Sequence, residues 1–257
     1  MRKNLFKIGA KNLKRELNKV SYASENSKEK CLYTIHFKND GDKLRITATD
    51  SYRLATTVIN AISIYNDFEF TINKKIIKSL IKNLNVNNDI DVEAEIDNEG
   101  EINCLFFKNA DKEFIIKHEK VWYPRFLELI NSIKTATTTA TIDKKIFKNT
   151  IEPAHKLHSK DTKFVQLILT ISNDNKIKIN AKERDTDLDF EAEVDADVTG
   201  EEIKISFNSK YLLDLIKSIE DDKIQIEITT VDRPIKVVDN QTIHLLMPMK
   251  EVKKWEI

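Results

Sequence analysis

FEFTINKKIIKSLIKNL, residues 68–84, and IKISFNSKYLLDLIKSI, residues 203–219, follow one pattern. Each alternates apolar and polar residues as a strand does, then changes to the three- and four-residue spacing of an amphipathic helix. Three further pairs lie at nearly the same separation: FKIGAKNLKRELNKV (6–20) with ATIDKKIFKNTIEPA (140–154), KLRITATD (43–50) with KIKINAKE (176–183), and DIDVEAEI (89–96) with KIQIEITT (223–230). Four matches at nearly one offset mean that a whole domain is repeated, not a short solenoid unit. The expected domains are residues 1–133 and 134–257, with the small, polar TATTTAT (135–141) at the seam.

Each half has one order. A short strand leads into an amphipathic helix. A strand pair follows, CLYTIHF-KNDGDK-LRITATD in the first half and FVQLILTI-SNDNK-IKINAKE in the second, with the Asn/Asp-rich turns that hairpins favour. Another strand runs into the second helix, and further strands such as INCLFF, EFIIKHE and TIHLLMPM complete the half. Alternation in DVEAEI and LDFEAEV predicts sheets with one wet face. The expected class is α+β: two repeated domains, each with two helices on antiparallel sheets.

The totals exclude several functions. Four glycines, all far apart, allow no P-loop and no dinucleotide fingerprint. Cys31 and Cys104 lack metal-type spacing and read as reduced thiols of a cytoplasmic protein. The N-terminus is too charged for a signal peptide, and no run has the ~18–20 apolar residues that span a bilayer. No membrane partner and no cofactor are expected.

Net charge is zero, from 42 basic and 42 acidic residues, but its distribution is uneven. The four predicted helices (11–19, 74–82, 144–160 and 208–219) carry +3, +4, +4 and +1, so the remainder of the chain carries −12. One surface could therefore face a polyanion that the other repels. The residues expected to face the polyanion are Lys11, Lys14, Arg15, Lys19, Lys74, Lys75, Lys78, Lys82, Lys144, Lys145, Lys148, Lys156, Lys210 and Lys217. Nearly all are Lys, a mobile point charge without the planar fork of Arg, which suits sequence-blind contact with phosphate. The competing reading is a set of ordinary solvated helix faces. Recurrence of basic helices at equivalent places in both halves favours the first.

LRITATDSYRLA (44–55) resembles a signature of the middle domain of the bacterial DNA polymerase III β subunit, the sliding clamp family. ISFNSKYLLDLIKSI, RPIKV and HLLMPMK resemble that family's last domain, and VWYPRFLELI (121–130) falls where the family has a Tyr-Pro segment. The resemblance implies the DNA clamp fold, with helices lining a central hole and sheets outside. It also implies a non-catalytic accessory subunit of a DNA polymerase. Family members use three domains per chain and close as dimers of six; this chain has no counterpart of the first domain. Six domains then take three chains, as in proliferating-cell nuclear antigen, and a homotrimer is expected to encircle duplex DNA.

The resemblance further implies a hydrophobic pocket at the seam that binds short linear peptides of the polymerase and clamp loader. Carried over residue by residue, its positions are Leu32, Thr49, Arg53, Leu54, Pro124, Leu129, Asn208, Tyr211, Pro234, Leu245, Met247, Pro248 and Met249. Asp50 is expected to be structural, and Arg53 to order the seam and present a donor. Departures from the family are Ser51 in place of Gly, Lys120-Val121 in place of Asp-Gly, Glu128 where a basic residue is common, and a tail, KEVKKWEI, whose Trp255 packs locally or frays.

Rival readings are weaker. Thr49, Asp50 and His36 lack a glycine elbow or a triad spacing. Glu152, His155 and His158 have helical spacing but no second motif, so no metal is expected. Trp122, Tyr123 and Phe126 as a stacking platform compete with a core role. A monomeric clamp-like protein that sequesters clamp-binding peptides is the alternative function.

Overall fold

The computed structural model describes residues 1–25, 29–133, 135–156, 165–182 and 189–250. Trp255, His158 and Lys160 lie outside them. The chain divides into two compact units, one comprising Met1–Arg125 and Asn240–Ile243, the other Phe126–Asp239 and His244–Ile257.

The first unit runs β1 (Arg2–Gly9), α1 (Ala10–Ser21), a 3-10 turn (Lys30–Tyr33), β2 (Thr34–Asp40), β3 (Lys43–Thr49), β4 (Arg53–Asn60), β5 (Ser63–Ile64), β6 (Glu69–Asn73), α2 (Lys74–Asn83), β7 (Asp89–Ile96), β8 (Ile102–Asn109) and β9 (Lys112–Lys117). Its strands order as β5-β1-β7-β8-β9 and as β4-β3-β2-β6. The second unit opens with a short helix, α3 (Phe126–Ser132), the one helix the periodicity does not predict. It continues through β10 (Thr138–Asp143), α4 (Lys144–Lys156), β11 (Gln166–Ser172), β12 (Lys176–Lys182), β13 (Asp189–Asp195), β14 (Asp197–Gly200), β15 (Ile203–Asn208), α5 (Ser209–Ser218), β16 (Lys223–Ile228) and β17 (Ile235–Asp239). Here the orders are β14-β10-β16-β17 and β13-β12-β11-β15. A last strand, β18 (Thr242–Leu246), begins in the residues grouped with the first unit. From β1 to β9 the strands and α-helices correspond one for one with those from β10 to β18.

Both helices that follow the quoted strands start for the same local reason. Asn73 accepts the backbone N–H of Lys75, and Asn208 accepts those of Lys210 and Tyr211. Each side chain satisfies donors that the first turn leaves open. Hairpin register places apolar residues opposite one another: Phe37 opposite Ile46 between β2 and β3, Leu169 opposite Ile179 between β11 and β12. The turns differ in length. Gly41 supplies a left-handed residue in the first, and Asn175 adopts one in the second at φ 62°.

One stripe of each helix enters the core. Leu13, Leu17 and Val20 of α1, with Ile77 and Leu80 of α2, pack on Ile8, Phe37, Ile46, Val92 and Leu105. In the second unit Phe147, Ile151, Leu212, Leu215 and Ile216 are buried with Leu169, Ile179, Phe207 and Ile226. At ~25 cal/mol per Å2 of apolar surface removed from water, these stripes are what holds the helices on the sheets.

β2 carries a buried titratable group. His36 is 2% exposed and stacks on Tyr123, with ring centres 4.5 Å apart. Its Nε2 is 3.0 Å from Glu69 Oε1, and Glu69 Oε2 accepts Lys38 Nζ at 2.8 Å. Burial pushes the His36 pKa below 6.5, against the upward pull of Glu69. Burial raises the Glu69 pKa, but hydrogen bonds from Lys38 and His36 outweigh it and hold the carboxyl below its ordinary value. Unfolded chains therefore take up protons before the native state does. Stability should be full above pH 6.5 and fall as pH drops through the lowered His36 value. Urea midpoints measured from pH 7.5 to 5 should decline for the native sequence and decline less for His36→Phe, which keeps the stack on Tyr123.

Candidate functional site

Three residues, Asp50, Ser51 and Tyr52, join β3 to β4. Asp50 Oδ1 accepts the backbone N–H groups of Tyr52 and Arg53, each at 3.1 Å, and Oδ2 accepts Arg53 Nε at 2.9 Å. Thr49 Oγ1 donates to the carbonyl of Arg53 at 2.8 Å and accepts the Ser51 N–H at 3.2 Å. Both carboxylate oxygens of Asp50 are used inside the turn, so the Thr-Asp pair is a structural device. Burial pushes the Asp50 carboxyl up, and Arg53 beside it pulls the other way.

Arg53 is itself buried. Its guanidinium also reaches Glu25 Oε2 at 3.4 Å and lies 5.5 Å from the ring centre of Tyr22. These contacts tie Arg53 to the β3–β4 turn and to the segment after α1, all within the first unit. The expected donor to a peptide meets a group that is 3% exposed and held between two carboxylates. Ser51 adopts φ +76°, the left-handed conformation that the missing glycine would adopt without strain.

The other candidate surface is the helix pair of each unit. On α1, Lys11 and Arg15 are exposed and Lys14 is half-buried; on α2, Lys75, Lys78 and Lys82 are exposed. On α4, Lys145 and Lys156 are exposed with Lys148 half-buried, and α5 exposes Lys210 and Lys217. Spacings of three, four, seven and eleven, as in Lys11 and Arg15, Lys75, Lys78 and Lys82, Lys145 and Lys156, and Lys210 and Lys217, keep these residues on one face of each helix. Glu152 Oε1 lies 3.9 Å from Lys148 Nζ and 3.5 Å from Lys217 Nζ, so α4 and α5 present their cations on a common side.

Three expected members leave that surface. Lys19 is buried at 4% exposure. Lys74 at the start of α2 donates to the Ser24 carbonyl just beyond α1, and Lys144 at the start of α4 donates to the Ile219 carbonyl that caps α5. A cation at the C-terminal end of a neighbouring helix is favoured by its dipole, so both lysines tie helix to helix. Charge counting registers how many lysines a helix has but not what each ammonium meets.

Two domain descriptions of one family match this chain: "DNA polymerase III beta subunit, central domain" over residues 7–117, and "DNA polymerase III beta subunit, C-terminal domain" over residues 134–250. The chain belongs to the DNA polymerase III beta subunit family. The beta sliding clamp of Staphylococcus aureus is 26% identical over 253 residues, and that of Halalkalibacterium halodurans 25% over 254 residues. These alignments take in 97% and 96% of this chain but 65% of each relative. Two solved structures share the fold. The DNA polymerase sliding clamp from Bacillus subtilis is 24% identical with a TM-score of 0.87, covering 96% of this chain and 64% of that one. The beta subunit from Streptococcus pyogenes is 19% identical with a TM-score of 0.85, covering 96% and 66%.

The beta-subunit residues expected at a peptide pocket can be placed unit by unit. In the first, Leu32, Thr49 and Leu54 are buried and Pro124 is half-buried. Ser24 Oγ donates to the Leu32 carbonyl at 3.0 Å beside the Glu25 that holds Arg53, so the 3-10 turn and the β3–β4 turn are neighbours. In the second unit Pro234 and Leu245 are buried, Asn208, Tyr211, Pro248 and Met249 half-buried, and Leu129 and Met247 exposed. Met249 N–H donates to the Ser206 carbonyl of β15 at 2.7 Å, which brings the Met-Pro-Met ending beside the strand that carries Asn208.

Of the aromatic trio, Trp122 is 73% exposed while Tyr123 and Phe126 are buried, so no continuous stacking platform forms. His155 Nδ1 is 2.8 Å from Ser209 Oγ, and Glu152 faces the two lysines. Sequence reasoning missed a cavity of about 570 Å3 in the first unit, lined by His36, Glu69, His118, Trp122, Tyr123 and Arg125 among others. Its residues come from segments tens of residues apart, and no local pattern joins them.

Three substitutions test the turn. Asp50→Ala should cost ~3 kcal/mol or more in urea unfolding, because it leaves a buried guanidinium short of its partner. Asp50→Asn, which keeps the Oδ1 acceptor, should cost less. Ser51→Gly should raise stability by about 0.5–1 kcal/mol by relieving the left-handed strain, less the extra backbone entropy of glycine.

Proposed function

We propose that this chain is a DNA sliding clamp, a processivity factor that encircles duplex DNA and tethers a polymerase to it. The observation that carries the reading is the grouping of cations on the helix pairs, with Lys148 and Lys217 on the side marked by Glu152. Flexible ammonium groups attract phosphates through counterion release without reading bases, which a moving clamp requires. The sheets hold the excess of carboxylates and face away from the polyanion.

In the proposed ring three copies form a homotrimer, lined by the α1, α2, α4 and α5 helices of each copy. Partners are the polymerase and the clamp loader, each supplying a short apolar peptide. Each unit offers residues suited to such a ligand, apolar anchors framed by polar groups: Leu32, Thr49 and Leu54 in the first, and Tyr211, Leu245, Met247 and Met249 in the second. Met adapts to more than one peptide. Asp50 has no catalytic task, and the protein is a non-catalytic accessory subunit working in the cytoplasm without a cofactor.

Mass in solution at micromolar concentration should correspond to three chains of 29.8 kDa. Substituting Lys75, Lys78, Lys145 and Lys148 together by Glu should keep that mass and abolish salt-sensitive binding to duplex of any sequence. A strictly monomeric species would overturn the ring and favour a protein that sequesters clamp-binding peptides.

A further inference from the structure

We infer that Glu152 is an internal competitor of the duplex: its carboxylate takes the place of a backbone phosphate between Lys148 and Lys217 and keeps the cationic face from gripping DNA. This rests on the clamp reading above and concerns the strength of that contact.

Glu152 stands inside a row of cations. Lys145, Lys148, Glu152 and Lys156 follow one another on α4 at spacings of three, four and four, which puts them on one face. One oxygen, Oε1, lies 3.9 Å from Lys148 Nζ on the same helix and 3.5 Å from Lys217 Nζ on α5. All three side chains are partly in solvent. An anionic oxygen shared by ammonium groups of two helices is the arrangement that a phosphate oxygen would adopt against the same pair. The acid of α1 is set differently. Glu16 is buried and accepts Arg15 Nε and Thr57 Oγ1, each at 2.8 Å, so it lies beneath the surface and not in it. α2 has no acid.

Helix stability does not account for this carboxylate. An ion pair four residues apart is stronger when Glu precedes Lys, an order that would join Glu152 to Lys156. Among the described residues Glu152 makes no ion pair with Lys156; it turns to Lys148 before it and to the neighbouring helix. It also sits in the C-terminal half of α4, toward the end where the dipole disfavours negative charge. Ion pairs this exposed contribute little to folding, so a phosphate can displace the carboxylate readily.

A ring holds DNA by its topology, and its cations need only keep the duplex centred. Each ammonium must leave one phosphate before it meets the next. A carboxylate within reach receives the ammonium in between, so the exchange runs between similar partners. It also reduces the number of counterions released on binding, and with it the affinity. Glu152 thereby sets the contact weak and the duplex free to move.

The test measures binding of the full chain to a short labelled duplex by fluorescence anisotropy over a series of salt concentrations. Circular dichroism and solution mass first show that each variant is folded and assembled like the native chain. Glu152→Gln keeps the shape and removes the charge. Glu152→Asp keeps the charge and shortens the reach by one methylene. Glu202→Gln, at an exposed acid between β14 and β15, makes the same change in net charge outside the helices. Glu152→Gln should tighten binding at least about threefold at equal salt and steepen the slope of log K against log[salt] by about one. Glu152→Asp should move the same way, and Glu202→Gln should stay within about twofold of native, because salt screens distant exposed charges. In a chain already carrying Lys148→Ala and Lys217→Ala, Glu152→Gln should give no such gain. If the native chain binds with salt-dependent affinity but Glu152→Gln binds no tighter, Glu152→Asp binds as the native chain does, or Glu202→Gln gains as much, the assignment to Glu152 is wrong while the clamp reading survives. A native chain without salt-sensitive affinity for duplex removes both.

Discussion

Among the described residues, each unit has two long helices with which to cover the apolar faces of its sheets. That requirement constrains almost everything else in the molecule. Leu13, Leu17 and Val20 must point inward along α1, and Phe147 and Ile151 along α4, so the opposite face of each helix is the only place left for charge. A helix that presents one apolar stripe and one Lys stripe is thereby oriented twice over, by burial and by hydration of the ammonium groups. Surface potential follows from packing: the same contacts that fix the helices on the sheets determine where the cations project.

The chain then uses some of its lysines for cohesion. Lys74 and Lys144 occupy equivalent positions at the starts of α2 and α4, and each donates to a carbonyl at the far end of the neighbouring helix. Glu152 sits between Lys148 and Lys217 and offsets the repulsion that two close ammonium groups would otherwise exert. A cationic surface of this kind needs some internal neutralisation to be stable before any polyanion arrives.

The β3–β4 turn shows a local substitution absorbed by its surroundings. Ser51 holds a left-handed conformation that favours glycine, and the cost is of order 1 kcal/mol. Five hydrogen bonds from Thr49 and Asp50 within the turn over-determine the backbone there. Arg53, held by Asp50 and Glu25, extends that rigidity to the segment after α1. A left-handed position that favours glycine is here held by a serine and sustained by side-chain chemistry.

Pattern and periodicity in the sequence determined the class, the repeat and the identity of the helices, because strands and helices differ in spacing and because Asn73 and Asn208 act on donors two and three residues away. The role of Asp50 was also legible, since its partners are within three residues. Tertiary structure alone decided what distant groups meet: that Lys19 is buried, that Lys74 and Lys144 reach carbonyls, that Tyr123 lies on His36 while Trp122 stays in solvent, and that β9 and β13 end their sheets. A local pattern reports which face of an element is apolar. It does not report which element covers that face, or which edge is left without a neighbour, because both depend on contacts between residues far apart in the chain.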